Sequence, residues 1–574
     1  MKYTGAELII HLLEHRGVRI VAGIPGGALL PLYDALGRSS SIRHVLARHE
    51  QGAGFIAQGV ARVTGRAAVC FATSGPGVTN IATALADAKL DSVPLVCIAG
   101  QVPTHLIGTD AFQEVATLAM MQPITKAAFF VDDASQLDQV LSEAFRIAES
   151  GRPGPVLIDV PKDVQLQSIH PVAQPLDPPL SPCLPANTQM YDQAAALIAA
   201  ARRPILYVGG GVVKARAYTL IRQLAERATL PVTTTLMALG VLPAQHELNL
   251  GMLGMHGAGY TNLLLEECDL LIAIGARFDD RATGRPDRFV PEAKIIHIDI
   301  DPREFGKIKT PSLAIHDDAH RAAAALLERV SSAPRFAWLE RIRRLKQSHP
   351  LRTPHDDVLC TPYGIVRAVG ELVETDAILT TDVGQHQMWV AQAYPFTRPD
   401  RWLTSGGLGT MGFGLPAAIG AALAVPAATT ICFTGDGSLL MNIQEMATLA
   451  ELNLNVKIVV LDNGALGLVK QQQELFYRRN CVASTFSMRS NLVAIAQAFG
   501  VLAIDLGAHR TPHEALRQTL QSRGPALIRV PIAAEHHVLP MVPPGAANTE
   551  AVDSRVLAGS PRRGAAITAE RNIL

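Results

Sequence analysis

The stretch from Thr429 to Asn463 limits what this chain can fold into more than any other. An apolar run, Ile431 to Thr434, ends at Gly435-Asp436-Gly437. A second apolar run, Val456 to Leu461, ends at Asp462-Asn463. Between them lies an amphipathic stretch in which Glu445 follows Asn442 by three residues, a capping-box pattern that predicts a helix start. Strand, turn, helix and strand in this order make a βαβ unit with parallel strands. Asp436 and Asn463 then stand at the carboxyl ends of neighbouring strands, where open α/β sheets bind ligands.

The residue types at those ends point to one chemistry. Glycines let backbone N–H groups approach a phosphate, and a helix N-terminus favours the anion. A carboxylate and an amide oxygen are hard ligands suited to Mg²⁺. The pattern therefore predicts a diphosphate bridged by Mg²⁺. A lone GDG is as often a plain strand-to-helix turn, and the second oxygen donor one unit later favours the ligand site.

At 574 residues the chain is too long for one core, which predicts about three or four domains. Lys+Arg and Asp+Glu both number 51, so no net charge draws the chain to nucleic acid or anionic lipid. Seven cysteines without a CxxC pair suggest reduced thiols and a cytoplasmic setting. No apolar run reaches membrane-spanning length, and the N-terminus lacks the apolar core of a signal peptide.

Residues 1–170 alternate helical and strand patterns, with strands at Arg19 to Gly23, Ala67 to Thr73, Leu95 to Ala99 and Val156 to Val160. Such alternation implies a parallel sheet covered by helices. Pro171 to Pro185 holds six prolines in fifteen residues and reads as an extended linker. A second α/β pattern occupies 189–332, where strands run into Gly209-Gly210-Gly211, Gly275-Ala276-Arg277 and Asp299-Ile300-Asp301. Residues 331–362 read as a second linker. A third α/β pattern covers 360–550, and 551–574 read as a mobile tail. The fold class is α/β with three doubly wound parallel sheets. The first and third patterns could be one architecture used twice.

GDG followed after 27 positions by Asn463 resembles the thiamine-diphosphate motif. Further blocks resemble the large catalytic subunits of the acetolactate synthase family, also called acetohydroxyacid synthases. They are Arg48 to Ala53, Ile107 to Glu114, Gly275 to Arg281, Thr381 to Trp389, Ser405 to Gly412 and Val542 to Ala546. The resemblance covers residues 4 to about 550 in order. It implies thiamine diphosphate, Mg²⁺ and FAD as cofactors, 2-oxo acids as substrates and a dimer or larger even assembly. A small regulatory subunit is a possible partner. In such an assembly the Glu50-bearing domain of one copy faces the GDG domain of another.

The resemblance also assigns roles. Glu50 would be the acid that activates the cofactor's aminopyrimidine ring. Gly27, Gln113 and Lys162 would lie near the reacting centre. Val383, Gly384, Gln385, His386, Gly409, Gly435, Gly437, Ser438 and Leu468 would line the cofactor, with Met411 holding its two rings in a V. Asp436, Asn463 and the Ala465 carbonyl would hold Mg²⁺. FAD would meet Arg152, Gly209, Gly210, Gly211, Thr235, Leu236, Leu253, Gly254, Met255 and His256. It would also meet Gly275, Ala276, Arg277, Asp279, Arg281, Asp299, Ile300 and Asp318. Arg277 and Arg281, four apart, could both reach a pyrophosphate if they share a helical face.

One position departs from the family. Gln472 stands where a Trp usually shapes the pocket for the second substrate and favours 2-ketobutyrate over pyruvate. Leu468 replaces a commoner Met, a volume-conserving change. Other readings remain: a pyruvate oxidase using flavin as oxidant, a glyoxylate carboligase, which lacks the acid held here by Glu50, and a catalytically silent homologue.

Overall fold

The computed structural model describes residues 2–170 and 188–553. The expected linker Pro171 to Pro185, and the expected tail from residue 554 on, lie outside the described residues.

Three six-stranded sheets follow one another along the chain, and every strand pairing within them is parallel. The first runs Arg43–Leu46, Ile20–Gly23, Ala68–Ala72, Leu95–Gln101, Pro155–Pro161, Ala127–Phe130 across its width. Counted in chain order within the sheet, that is 2-1-3-4-6-5. The third sheet runs Trp402–Leu403, Ile378–Thr381, Thr430–Gly435, Val456–Asp462, Ala526–Pro531, Leu502–Asp505, the same order. The first and third segments thus share one strand topology. The middle sheet runs Asn249–Met252, Val232–Thr234, Pro204–Val208, Leu270–Ile274, Lys294–Asp299, Leu313–His316. Its order, 3-2-1-4-5-6, is that of dinucleotide-binding sheets. Central strands such as Leu95–Gln101 and Val456–Asp462 are buried along their whole length, which is why they read as mostly apolar runs, with Lys457 buried by donating to the Ser522 and Gly524 carbonyls.

The first and third sheets meet through two helices, Glu50–Thr64 and Gly414–Ala424. Glycines permit the crossing. A Cβ at Gly59 would stand 2.1 Å from the Ala417 carbonyl oxygen, and one at Gly420 would stand 1.9 Å from that of Ile56. Backbone packs on backbone there, so the two domains cannot separate without exposing that contact.

Three expectations need correction. The supposed linker 331–362 contains the helix Phe336–Ser348. Its Trp338, Ile342 and Leu345 are buried against the middle sheet's core, an apolar stripe hidden among charged neighbours. Residues 551–553 are part of the fold, because Val552 exchanges two 2.9 Å backbone bonds with Met541. The capping box at Asn442 does not form, and the helix there is Glu445–Glu451. Asn442 Nδ2 instead donates to the Gly412 carbonyl at 2.7 Å. Glu445 Oε1 accepts the backbone N–H groups of Arg48 and His49 at 2.9 and 3.1 Å. Distant partners took both side chains away from the local cap.

Candidate active site

In the third sheet the strand order reverses between Ile378–Thr381 and Thr430–Gly435, where a doubly wound sheet opens a crevice. Val383-Gly384-Gln385-His386 leave the first strand and Gly435-Asp436-Gly437-Ser438 end the second. Ser438 Oγ donates to the Val383 carbonyl at 2.9 Å and ties the two ends together. The register pairs Gly435 with Leu461, so Asp436 stands level with Asp462 and Asn463 follows directly. Burial, then the charge of Asp462, pushes the Asp436 carboxyl up to about 7. Asn463 Nδ2 donates to Gln385 Oε1 at 3.1 Å, and its Oδ1 accepts the Ala465 N–H at 3.1 Å. Leu468 lies on the following helix, Gly467–Phe476.

This donor set fits a hard cation held together with phosphate oxygens. Among the described residues no group of three or more His, Cys, Asp or Glu side chains could hold a metal alone. Asp436 and Asn463 would supply one carboxylate and one amide oxygen, with the Ala465 carbonyl beside them. His386 stands at the same strand end. Burial holds its imidazole down at about 3, hence neutral, and its Nε2 is buried with no hydrogen-bond partner. A Cβ at Gly435 would come within 3.0 Å of His386 Nδ1, so only glycine leaves the ring this place.

The first sheet has its own crevice, between Ile20–Gly23 and Ala68–Ala72. Here the turn Thr73 to Gly77 collects the expected residues. A Cβ at Gly26 would strike Thr73 side-chain atoms at 2.4–2.6 Å, and Gly27 beside it faces open space. Gly75 lies against Gln113, whose backbone takes a left-handed φ of 62°. Glu50 opens the helix Glu50–Thr64 and is buried, 8% exposed. Its Oε2 accepts from Asn80 Nδ2 at 2.9 Å, and a Cβ on Gly77 would stand 3.5 Å from its Oε1. Thr73 Oγ1 is buried without a partner. Lys162 starts the short helix Lys162–Leu166 directly after a sheet strand and is half-buried.

Met411 lies on the loop between Trp402–Leu403 and Gly414–Ala424 and is half-buried. The loop's tip is exposed at Gly409, whose Cβ would meet Val383 Cγ1 at 3.9 Å.

In the middle sheet the order reverses between Pro204–Val208 and Leu270–Ile274, so Gly209 to Gly211 and Gly275 to Arg277 flank the crevice. These glycines let the two turns touch: a Cβ at Gly209 would stand 2.2 Å from the Gly275 carbonyl oxygen. Thr235 Oγ1 is buried at this edge without a partner, beside Leu236. Gly254 packs equally closely, a Cβ there falling 2.1 Å from the Arg281 carbonyl oxygen, and Leu253 is buried next to it. Met255 O accepts from Val542 N, and His256 Nδ1 meets the Pro540 carbonyl at 3.0 Å, so the last described segment folds back over this sheet. An orphaned hydroxyl, a glycine-lined switch point and the dinucleotide-type strand order together fit FAD.

Other expected contacts have local duties. Asp279 caps the helix Asp280–Thr283 and Asp318 caps Ala319–Arg329. Arg152 pairs with Glu304 at 2.8 Å and Asp301 at 3.4 Å. Asp299 is buried and accepts the Asp301 N–H, and the Ile300 carbonyl faces His316 Nε2. Arg277 and Arg281 do not share a helical face, because the helix begins at Asp280 and Arg277 precedes it.

Sequence reasoning missed several residues here. Asn80, Asp87 and Asp91 lie on or just after the helix Pro76–Leu90, and their spacing of seven and four marks one helical face. Asp382 is buried behind the Asp436 strand end, holding Gly414 N–H and Thr434 Oγ1 at 3.1 and 2.9 Å.

These features define a thiamine-diphosphate enzyme. Residues 3–120 match the thiamine pyrophosphate enzyme N-terminal TPP binding domain, 191–326 its central domain and 382–530 its C-terminal TPP binding domain. The acetolactate synthase isozyme 1 large subunit of Escherichia coli (strain K12) is 56% identical over 551 residues, covering 96% of this chain and 98% of that one. The isozyme 2 large subunit of the same organism is 44% identical, covering 96% and 99%. The chloroplastic acetolactate synthase 1 of Zea mays is 44% identical, covering 95% and 88%. The chain belongs to the acetolactate synthase large-subunit family.

Proposed function

We propose that this chain is the catalytic subunit of an acetolactate synthase. It decarboxylates pyruvate and transfers the remaining two-carbon unit to a second pyruvate or to 2-ketobutyrate. The products are CO₂ and 2-acetolactate or 2-aceto-2-hydroxybutyrate, the first step of valine, leucine and isoleucine synthesis. The observation that carries this reading is 56% identity across nearly the whole chain, with Glu50, Asp436 and Asn463 all in place.

When bound, thiamine diphosphate supplies the electron sink for losing CO₂ from a 2-oxo acid. The chain's residues do the rest. Asp436, Asn463 and the Ala465 carbonyl would hold Mg²⁺, and His386 would line the diphosphate beside them. Glu50 sits in a buried pocket beside Asn80, where its carboxyl can hold and return a proton at the pyrimidine. Gln113, Gly27 and Lys162 border the position of the 2-oxo acid.

Glu50 and Asp436 belong to different partner sets within one chain. A neighbouring copy supplies the missing half of each site, so the working unit is a dimer or larger even assembly. Phe112, 88% exposed, and Met441, 52% exposed, are apolar side chains that such a neighbour would cover. The turns Gly209 to Gly211 and Gly275 to Arg277 would hold FAD at the middle sheet's switch point. Several relatives are named as large subunits, and a small regulatory subunit is accordingly part of the proposal. The described cysteines are free, which suits a cytoplasmic setting, and no helix among the described residues is long and apolar enough to cross a membrane.

The test is pyruvate turnover with thiamine diphosphate, Mg²⁺ and FAD added back separately, with and without 2-ketobutyrate. Acetolactate should form without any added electron acceptor. Turnover that requires such an acceptor would point to an oxidase instead.

A further inference from the structure

The loop that carries Met411 belongs to the third sheet's domain, yet much of its anchoring comes from the first. Asp91 accepts the backbone N–H groups of Gly406 and Gly407 at 3.1 and 2.7 Å. Asp87 accepts the hydroxyls of Ser405 and Thr410, the latter at 2.9 Å. Arg62 neutralises the pair, 2.7 Å from Asp91 and 3.5 Å from Asp87. The same guanidinium donates to the Thr404 carbonyl at 3.1 Å and lies over the Phe413 ring at 5.0 Å. Both ends of the loop are therefore held by one buried cluster. Within its own domain the loop is bonded to Gln387, through Thr404 Oγ1 and the Ser405 carbonyl, to Thr381, whose hydroxyl lies 2.8 Å from that of Thr404, to Asn442, whose Nδ2 donates to the Gly412 carbonyl at 2.7 Å, and to itself, Thr410 N–H donating to Ser405 Oγ. Leu408 and Gly409, between the anchors, remain exposed.

Burying two carboxylates beside each other is costly. Burial, then the charge of Asp91, pushes the Asp87 carboxyl up. A fold that needed only a turn here could use neutral groups. This cluster instead spends four acceptor contacts on one eight-residue loop.

We propose that Asp87 and Asp91 are positioning residues: with Arg62 they fix the loop 405–412 and so set where Met411 stands. This rests on the reading that Met411 supports bound thiamine diphosphate. Asn80, on the same helix as Asp87, holds Glu50. One helix thus holds the activating acid that the chain offers to one site and, through the loop, the Met411 that it offers to the other.

The test uses the full-length protein. Asp91→Asn and Asp87→Asn should raise amide hydrogen exchange of peptides covering 405–412 by about tenfold in the cofactor-free protein, leaving helices 50–64 and 76–90 unchanged. Thiamine diphosphate affinity, measured by calorimetry, should fall by about five- to tenfold. Each variant should also lower kcat at saturating cofactor, and neither should lower it further when combined with Met411→Ala. Should an acid variant fail to fold, Ser405→Ala with Thr410→Val removes the loop's donors to Asp87 and should give the same three results. Exchange rising across both helices, or losses in kcat that multiply with Met411→Ala, would overturn the proposal. A Met411→Ala protein with unchanged kcat would instead overturn the reading of Met411, whatever the exchange shows.

Discussion

Asn80 Nδ2 donates to Glu50 Oε2 at 2.9 Å, and the two residues lie on adjacent helices of one domain. The bond fixes one carboxylate oxygen and leaves the other facing Gly77, 3.5 Å from where a Cβ would stand. Asn80→Ala should therefore lower turnover by about tenfold, the size of one lost hydrogen bond to a charged group, with little change in cofactor affinity. Steady-state kinetics and a cofactor titration check this. Wild-type turnover in the variant would mean that the bond positions nothing.

Glu445 ties the third domain to the first by accepting two backbone N–H groups just ahead of the Glu50 helix. Burial raises its carboxyl, and the Thr448 hydroxyl and those N–H groups hold it down. Glu445→Ala leaves both donors unpaired in a buried place and should cost about 1–3 kcal/mol. A fall of several degrees in melting temperature is expected, and no fall would contradict the assignment.

Asp159, buried in the strand Pro155–Pro161, has its carboxyl pushed up to about 7 by burial, while bonds from Gln101 and Thr117 pull it back. In the unfolded chain an aspartate ionises near its ordinary value, about 3.9. Between those values the folded state keeps a proton that the unfolded state has lost. Stability therefore falls as pH rises through this window and levels off above about pH 7. Asp159→Asn cannot ionise, so its melting temperature relative to the parent should climb from about pH 5 to about pH 8. A pH-independent difference would contradict the sign.

Gln472 is half-buried on the helix Gly467–Phe476, at the position where the sequence resemblance implies a Trp. The parent should couple two pyruvates readily and discriminate weakly for 2-ketobutyrate. Gln472→Trp should raise the preference for 2-ketobutyrate, by no more than the roughly 1–3 kcal/mol that one methylene is worth. Competition between the two acceptors measures this, and a strong 2-ketobutyrate preference in the parent would sink the idea.

The strand ends were legible because parallel strands buried on both faces write themselves as apolar runs, and Asp436 and Asn463 sit where those runs stop. The three-sheet fold followed from the same signal. Less was visible where partners are remote. Ser405 and Asp87 bond across 318 positions, and nothing near either residue announces it. Glu445 looked like half of a local cap because its true partners lie 396 and 397 residues away. The helix Phe336–Ser348 was lost because its buried Trp338, Ile342 and Leu345 are spaced among arginines, which kept the segment polar on average. The shared strand order of the first and third sheets leaves no repeated motif to read.

The central claim is that Glu50 activates a cofactor held elsewhere by Asp436 and Asn463. It is tested most directly by Glu50→Gln, an isosteric change that removes the acid. Calorimetric titration of thiamine diphosphate with Mg²⁺ should give an affinity close to the parent's, while pyruvate turnover falls by about a hundredfold or more. Parallel loss of binding and turnover, or turnover left intact, would contradict the account.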